Sequence, residues 1–230
     1  AQYREEGRGV YEYILNLPID VKRELWRVLD EHLTAGKKLP YDYYHRGCAI
    51  TCVDFVKEAL GETLIIYDRA LYDDSPTGRD LVKANTTKAL WVRFVACFIS
   101  GDEVDKPLVG ERQLIIPTDL VHAWQQAKMN GEPLLASEPT VLVAGEPQVA
   151  DTWFTPMVLA ILLLVLAIAN LFWNRPYFDW LMLAAQTIIG CGMTYLICFS
   201  DLCCTDWNWL LIPFNPLPAI FWYWRKYWAL

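Results

Sequence analysis

The stretch TWFTPMVLAILLLVLAIANLFWN, residues 152–174, holds 23 consecutive residues without a charge. At 1.5 Å per residue such a run crosses a hydrocarbon core of roughly 30 Å as a helix. WLMLAAQTIIGCGMTYLICFS, residues 180–200, is a second uncharged run, of 21 residues, and its Gly190 and Gly192 are expected to admit a neighbouring helix. WNWLLIPFNPLPAIFWYW, residues 207–224, is a third, of 18 residues, broken by Pro213, Pro216 and Pro218, and reads as a span or a re-entrant piece. Trp153, Phe154, Trp173, Tyr177, Trp180, Trp207, Trp209, Trp222, Tyr223 and Trp224 flank these runs as an interfacial belt. Two clear spans and a Pro-interrupted third therefore occupy residues 151–230.

Working outward, the charges separate the chain into two parts. Residues 1–155 hold 17 of the 20 Lys+Arg and 24 of the 27 Asp+Glu, and so the whole net charge of −7. No basic face is available to release phosphate counterions, which argues against a nucleic-acid partner. Hydrophobic residues make up 54% of the 230 and mean hydropathy is +0.18, which excludes a disordered chain. The basic residues near the spans are Arg175, Arg225 and Lys226. With three crossings they share one side, cytoplasmic by the positive-inside rule, and residues 1–150 face the exterior or periplasm. The opening Ala1-Gln2-Tyr3-Arg4 has no basic-then-apolar leader after it, so a processed or truncated start is expected.

Residues 1–150 read as an α+β domain. Tyr11, Tyr13, Leu15 and Leu17 alternate as in a strand. A helix follows from Asp20 as N-cap to Leu33, with Leu25, Trp26, Leu29 and Leu33 inward and His32 outward. Cys48 to Leu60 is a helix closed by Gly61. Leu64 to Tyr67 is a strand, Tyr72 to Gly78 a loop, and Leu90 to Ser100 an apolar element. A helix from Thr118 is expected to end at Asn130-Gly131, Thr140 to Ala144 to form a last strand, and Gly145 to Asp151 to be a linker.

The seven cysteines form no zinc-spaced cluster, and neither a metal nor a cofactor is expected. Cys97, Cys191 and Cys198 lie in apolar runs as packed thiols, while Cys203 and Cys204 either pair elsewhere or stay reduced. Cys48 differs. It follows Tyr41-Asp-Tyr-Tyr-His-Arg-Gly47 and starts a helix, where unsatisfied N–H groups and the macrodipole favour a thiolate. Arg46 adds positive potential and Gly47 leaves room at the sulfur. Two readings stand side by side: a capping, half-buried thiol, and a nucleophile. Cys52, one turn on, reads as packing. A thiolate enzyme needs an imidazole, and His32 and His122 read as surface or packing residues. His45, three residues before Cys48 in an extended segment, has poor geometry for a base.

Gly9-Val10 through Leu15-Asn16-Leu17, Tyr41-Asp-Tyr-Tyr, Arg46-Gly-Cys-Ala-Ile-Thr-Cys52 and Asp206-Trp-Asn-Trp-Leu-Leu-Ile-Pro-Phe-Asn-Pro-Leu217 together resemble the Lnb-type lipoprotein N-acyltransferase family of Bacteroides-like bacteria. The resemblance implies a papain-like (NlpC-like, permuted) extramembrane domain followed by a helical transmembrane bundle in the bacterial inner membrane. It implies transfer of an acyl chain from a phospholipid donor, through a thioester on Cys48, to the amine of a diacylglyceryl-cysteine lipoprotein. Many relatives carry Asp-Asn before the cysteine; Arg46-Gly47 stands there here. The family's histidine lies upstream of its cysteine in a Gly-His segment, and this chain reads as beginning after it. A membrane-tethered cysteine peptidase or amidase and a non-enzymatic membrane interaction protein remain as alternatives.

Overall fold

The computed structural model describes residues 2–36, 41–61, 63–145, 153–173, 176–200 and 202–217. In chain order its elements are α1 (Gln2–Glu5), β1 (Val10–Glu12), α2 (Ile19–Thr34), α3 (Cys48–Leu60), β2 (Ile65–Ile66), α4 (Ala70–Asp73), α5 (Gly78–Asn85), α6 (Leu90–Ile99), α7 (Pro117–Gln126), β3 (Lys128–Met129), β4 (Glu132–Pro133), β5 (Thr140–Val143), α8 (Pro156–Trp173) and α9 (Pro176–Phe199). Short 3₁₀ turns lie at Asp102–Asp105, Gly110–Gln113, Cys203–Thr205 and Trp209–Leu211. The chain forms two compact units, Ala1–Leu81 with Pro107–Val149, and Val82–Lys106 with Ala150–Leu230.

The first unit is built on α3. Its Ala49, Ile50, Val53, Val56, Ala59 and Leu60 are buried, a spacing that keeps one face of the helix inward. Gly61 ends it at φ 60°, a conformation that costs residues with a side chain. α2 packs on this helix through Val28, with His32 set edge-on against Phe55 at 5.1 Å between ring centroids. The expected inward face of α2 is thereby corrected. Trp26 and Leu33 are 75% and 80% exposed, while His32 faces α3, its Nε2 3.6 Å from Glu58. The helix is turned so that its slimmer residues meet α3.

Two small antiparallel sheets complete this unit. β1 pairs with β5, and the pairing continues irregularly as Asn16 N–H donates to Leu134 and Ala136 N–H to Ile14. The strand expected over Tyr11–Leu17 is thus real at both ends but broken by an irregularity at Val10/Tyr11 and a loop before Leu15. The second sheet has the order β2-β3-β4. Asn130 and Gly131, at φ 50° and 85°, make the tight turn between β3 and β4. That corrects the expected helix end at Asn130-Gly131, since α7 already stops at Gln126.

In the second unit, α8 has 18 residues and α9 has 24, about 27 and 36 Å of helix. None of α8 is buried, and of α9 only Gly190 and Met193 are. A core helix of a soluble protein passes the same apolar test but is covered by protein; α8 is not. Trp153, Tyr177, Trp207 and Trp209 are exposed near the ends of the apolar runs. Cys191 and Cys198 are exposed on α9 rather than packed, and Cys204 is buried and reduced. Arg175, Arg225 and Lys226 lie outside the described residues, as do Pro218 to Trp224 of the third run. Its described part, residues 207–217, forms turns and the 3₁₀ turn Trp209–Leu211, because Pro213 and Pro216 lack the N–H that a helix needs there.

That irregular segment is held by backbone and side-chain hydrogen bonds. Gly101 N–H donates to Cys204 O at 2.8 Å, Asp102 N–H to Asp206 O at 3.2 Å, and Asn208 Nδ2 to Phe98 O at 2.8 Å. Gln186 Nε2 donates to Pro213 O at 2.6 Å, and the rings of Phe98 and Phe214 meet edge-on at 5.2 Å. Gly190 serves this segment and not a neighbouring helix: a Cβ there would sit 1.7 Å from Phe214 O, while Gly192 faces open space. Gly190→Ala therefore lowers the thermal midpoint of the detergent-solubilised protein by several degrees, on the scale of an overpacking cost of about 1–3 kcal/mol. Gly192→Ala leaves the midpoint unchanged or raises it; equal midpoints for the two variants would show that the Phe214 contact is absent.

Candidate functional site around Cys48

Cys48 occupies the first position of α3, and its side chain is exposed. Gly47, the N-cap, has extended backbone and offers no side chain to the helix end. The first-turn N–H groups of α3 thus lie beside the sulfur at the positive end of the helix dipole. Gly47 leaves room for backbone: a Cβ there would lie 3.3 Å from Tyr43 O and 3.8 Å from Asp42 O.

The turn before the helix is organised by Asp42, which is 4% exposed. One carboxylate oxygen accepts from Tyr44 N–H at 3.2 Å, an Asx-type turn, and Arg46 N–H donates to Asp42 O at 3.0 Å. The other oxygen lies 2.6 Å from His45 Nδ1. In the tautomer whose Nδ1–H donates to this oxygen, Nε2 is the acceptor nitrogen of the ring. This pair was not legible as extended chain: the segment is a turn, and a turn brings residues three apart together. Arg112 donates to His45 O at 3.5 Å and lies 3.7 Å from Asp54 Oδ2. Lys57 pairs with Glu111 on the adjoining 3₁₀ turn. These contacts tie residues 110–113 to α3 and to the turn.

Two neighbours register the Cys48 sulfur electrostatically. Desolvation first, then the charge of Cys48, holds the Tyr41 phenol above its ordinary value. The same two causes push the Cys52 thiol up. The expectation that Cys52 packs is corrected in part: the residue is exposed, while protein around the sulfur still desolvates it. His122 is exposed on α7. No group of three or more His, Cys, Asp or Glu among the described residues is placed to hold a metal.

Residues 148–229 match the family model described as the Lnb transmembrane domain. No curated protein and no solved structure matches the chain.

A raised Cys52 thiol is protonated through neutral pH and becomes a nucleophile only as pH climbs past the ordinary thiol range of about 8.5. Alkylation of Cys52 in the full-length protein is therefore slow at pH 8 and rises toward pH 10. Removing the Cys48 charge by Cys48→Ser shifts that rise to lower pH. An unmoved alkylation profile, followed by peptide mass mapping, would show that the two sulfurs do not interact.

Proposed function

Because residues 148–229 match the Lnb transmembrane domain and two helices are long and apolar enough to cross a membrane, we propose that the chain is a lipoprotein N-acyltransferase with Cys48 as nucleophile. The observation that carries this proposal is the exposed Cys48 sulfur at the first position of α3, in a chain with that domain. The first unit is proposed to be papain-like, on the strength of a cysteine-headed helix beside small antiparallel sheets.

The proposed chemistry has two halves. The Cys48 thiolate attacks the ester carbonyl of a phospholipid, the C–O bond breaks, and the lysophospholipid alkoxide leaves with a proton. The α-amine of a diacylglyceryl-cysteine lipoprotein then attacks the thioester, the C–S bond breaks, and the thiol takes the proton lost by the amine. First-turn N–H groups of α3 suit the oxyanion of both tetrahedral intermediates. The resemblance sets the family's base in a Gly-His segment upstream of its cysteine. The described residues offer a second imidazole, His45, oriented by a buried carboxylate three residues before the thiol. With chemistry on an outer-leaflet lipid, the first unit is proposed to lie in the periplasm and the second in the inner membrane, the orientation that Arg175, Arg225 and Lys226 favour.

Incubation of the full-length protein with phospholipid is expected to leave a hydroxylamine-labile acyl adduct on Cys48, found by peptide mass mapping. Cys48→Ser abolishes the adduct while membrane insertion persists. No adduct on the wild-type sulfur sinks the acyltransferase assignment. His45→Gln slows adduct formation by 10²–10⁴-fold if it handles the proton; an unchanged rate assigns the base elsewhere.

A further inference from the structure

The second unit contains a trough of about 510 Å³, within the range of ligand sites, where α6 meets the start of α8. Its apolar wall is made by Phe94, Phe98, Met157 and Leu210. Two cations, Lys83 and Arg93, stand on the same lining. Both are half-buried, and neither forms an ion pair among the described residues. Leaving two cations unpaired beside apolar surface is costly unless an anion joins them. Thr155 and Pro156 at the N-terminus of α8 also line the trough, so the positive end of that helix dipole adds to the same field.

Depth identifies the anion. The apolar span of α8 begins at Pro156, and aromatic residues lie just before it: Trp153 is 83% exposed, while Trp91 donates through Nε1 to Phe154 O at 2.7 Å and stacks on its ring. Aromatic rings of this kind settle at the level of lipid headgroups. A phosphate at that level with an acyl chain below it matches cations above an apolar wall.

We infer that the trough binds a net-anionic glycerophospholipid, its phosphate between Lys83, Arg93 and the start of α8, and one acyl chain along Phe94, Phe98, Met157 and Leu210. A zwitterionic headgroup fits less well, because its ammonium would be brought against two uncompensated cations. The site lies wholly in the second unit and requires no acyl transfer, so it stands whether or not Cys48 is a nucleophile.

The test is native mass spectrometry of the full-length protein in detergent, carried out on wild type and on Cys48→Ser so that turnover does not consume the lipid. Dioleoylphosphatidylglycerol is expected to be retained one per chain, at least tenfold more tightly than dioleoylphosphatidylcholine or dioleoylglycerol. K83Q/R93Q is expected to erase that preference, and a control, K22Q/R23Q on α2, to keep it. Leu210→Trp, which fills the trough and leaves the cations, is expected to lose phosphatidylglycerol as well. Equal retention of the anionic and zwitterionic lipids overturns the proposal, as does an undiminished preference in K83Q/R93Q or in Leu210→Trp. Displacement of the lipid by millimolar inorganic phosphate overturns it in favour of a free-phosphate site.

Discussion

Hydrocarbon is the solvent that α8 requires, and the rest of the second unit follows from that. An 18-residue helix that is apolar but for Asn170, with none of it buried, is stable only where no water surrounds it. In such a medium every backbone N–H and C=O needs a partner from the protein. The helices supply their own. The Pro-rich segment after α9 is unable to, and it borrows partners instead: Gly101 and Asp102 donate to its carbonyls, and Gln186 donates to Pro213 O. Gly101 and Gly190 are the points where a missing side chain lets backbone approach backbone. The motif Asp206-Trp-Asn-Trp is the center of this accommodation, with Asn208 both capping its own turn and donating to Phe98 O.

In the first unit the governing element is α3. Burial of one face fixes its direction, and that direction sets Cys48 at the exposed, electropositive end. Asp42 then holds the turn to Gly47, its buried carboxylate meeting Tyr44 N–H and His45 Nδ1 and its backbone carbonyl accepting from Arg46 N–H. One side chain serves twice here: the carboxylate that closes the turn also orients the imidazole.

Particular residues show what the sequence disclosed. α3 was legible at both ends because Gly47 and Gly61 punctuate an apolar stripe, and α8 and α9 because uncharged runs of that length have one common meaning. The face of α2 was misread because Leu25, Trp26, Leu29 and Leu33 form an equally good stripe; contact with α3 chose Val28 and His32 instead. Asn130-Gly131 fits a helix stop and a hairpin turn alike, and only pairing of β3 with both β2 and β4 decides between them. The Asp42–His45 pair depends on turn geometry that no periodicity reveals. The role of Gly190 depends on a partner far along the chain.

That distance also sets an order of assembly. Asn208 and Phe98 are 110 positions apart, and their hydrogen bond joins two stretches separated by the whole Pro107–Val149 part of the first unit and by the two long apolar helices α8 and α9. On a ribosome the chain emerges from its N-terminus, so α6 is made long before its partner segment exists. Its apolar surface must wait, shielded by lipid or by a chaperone, until the residues near Asn208 have been synthesised. The β1–β5 pairing, by contrast, is available as soon as Val143 has emerged. The first unit's β1–β5 sheet therefore has both its strands before the second unit has its closing segment.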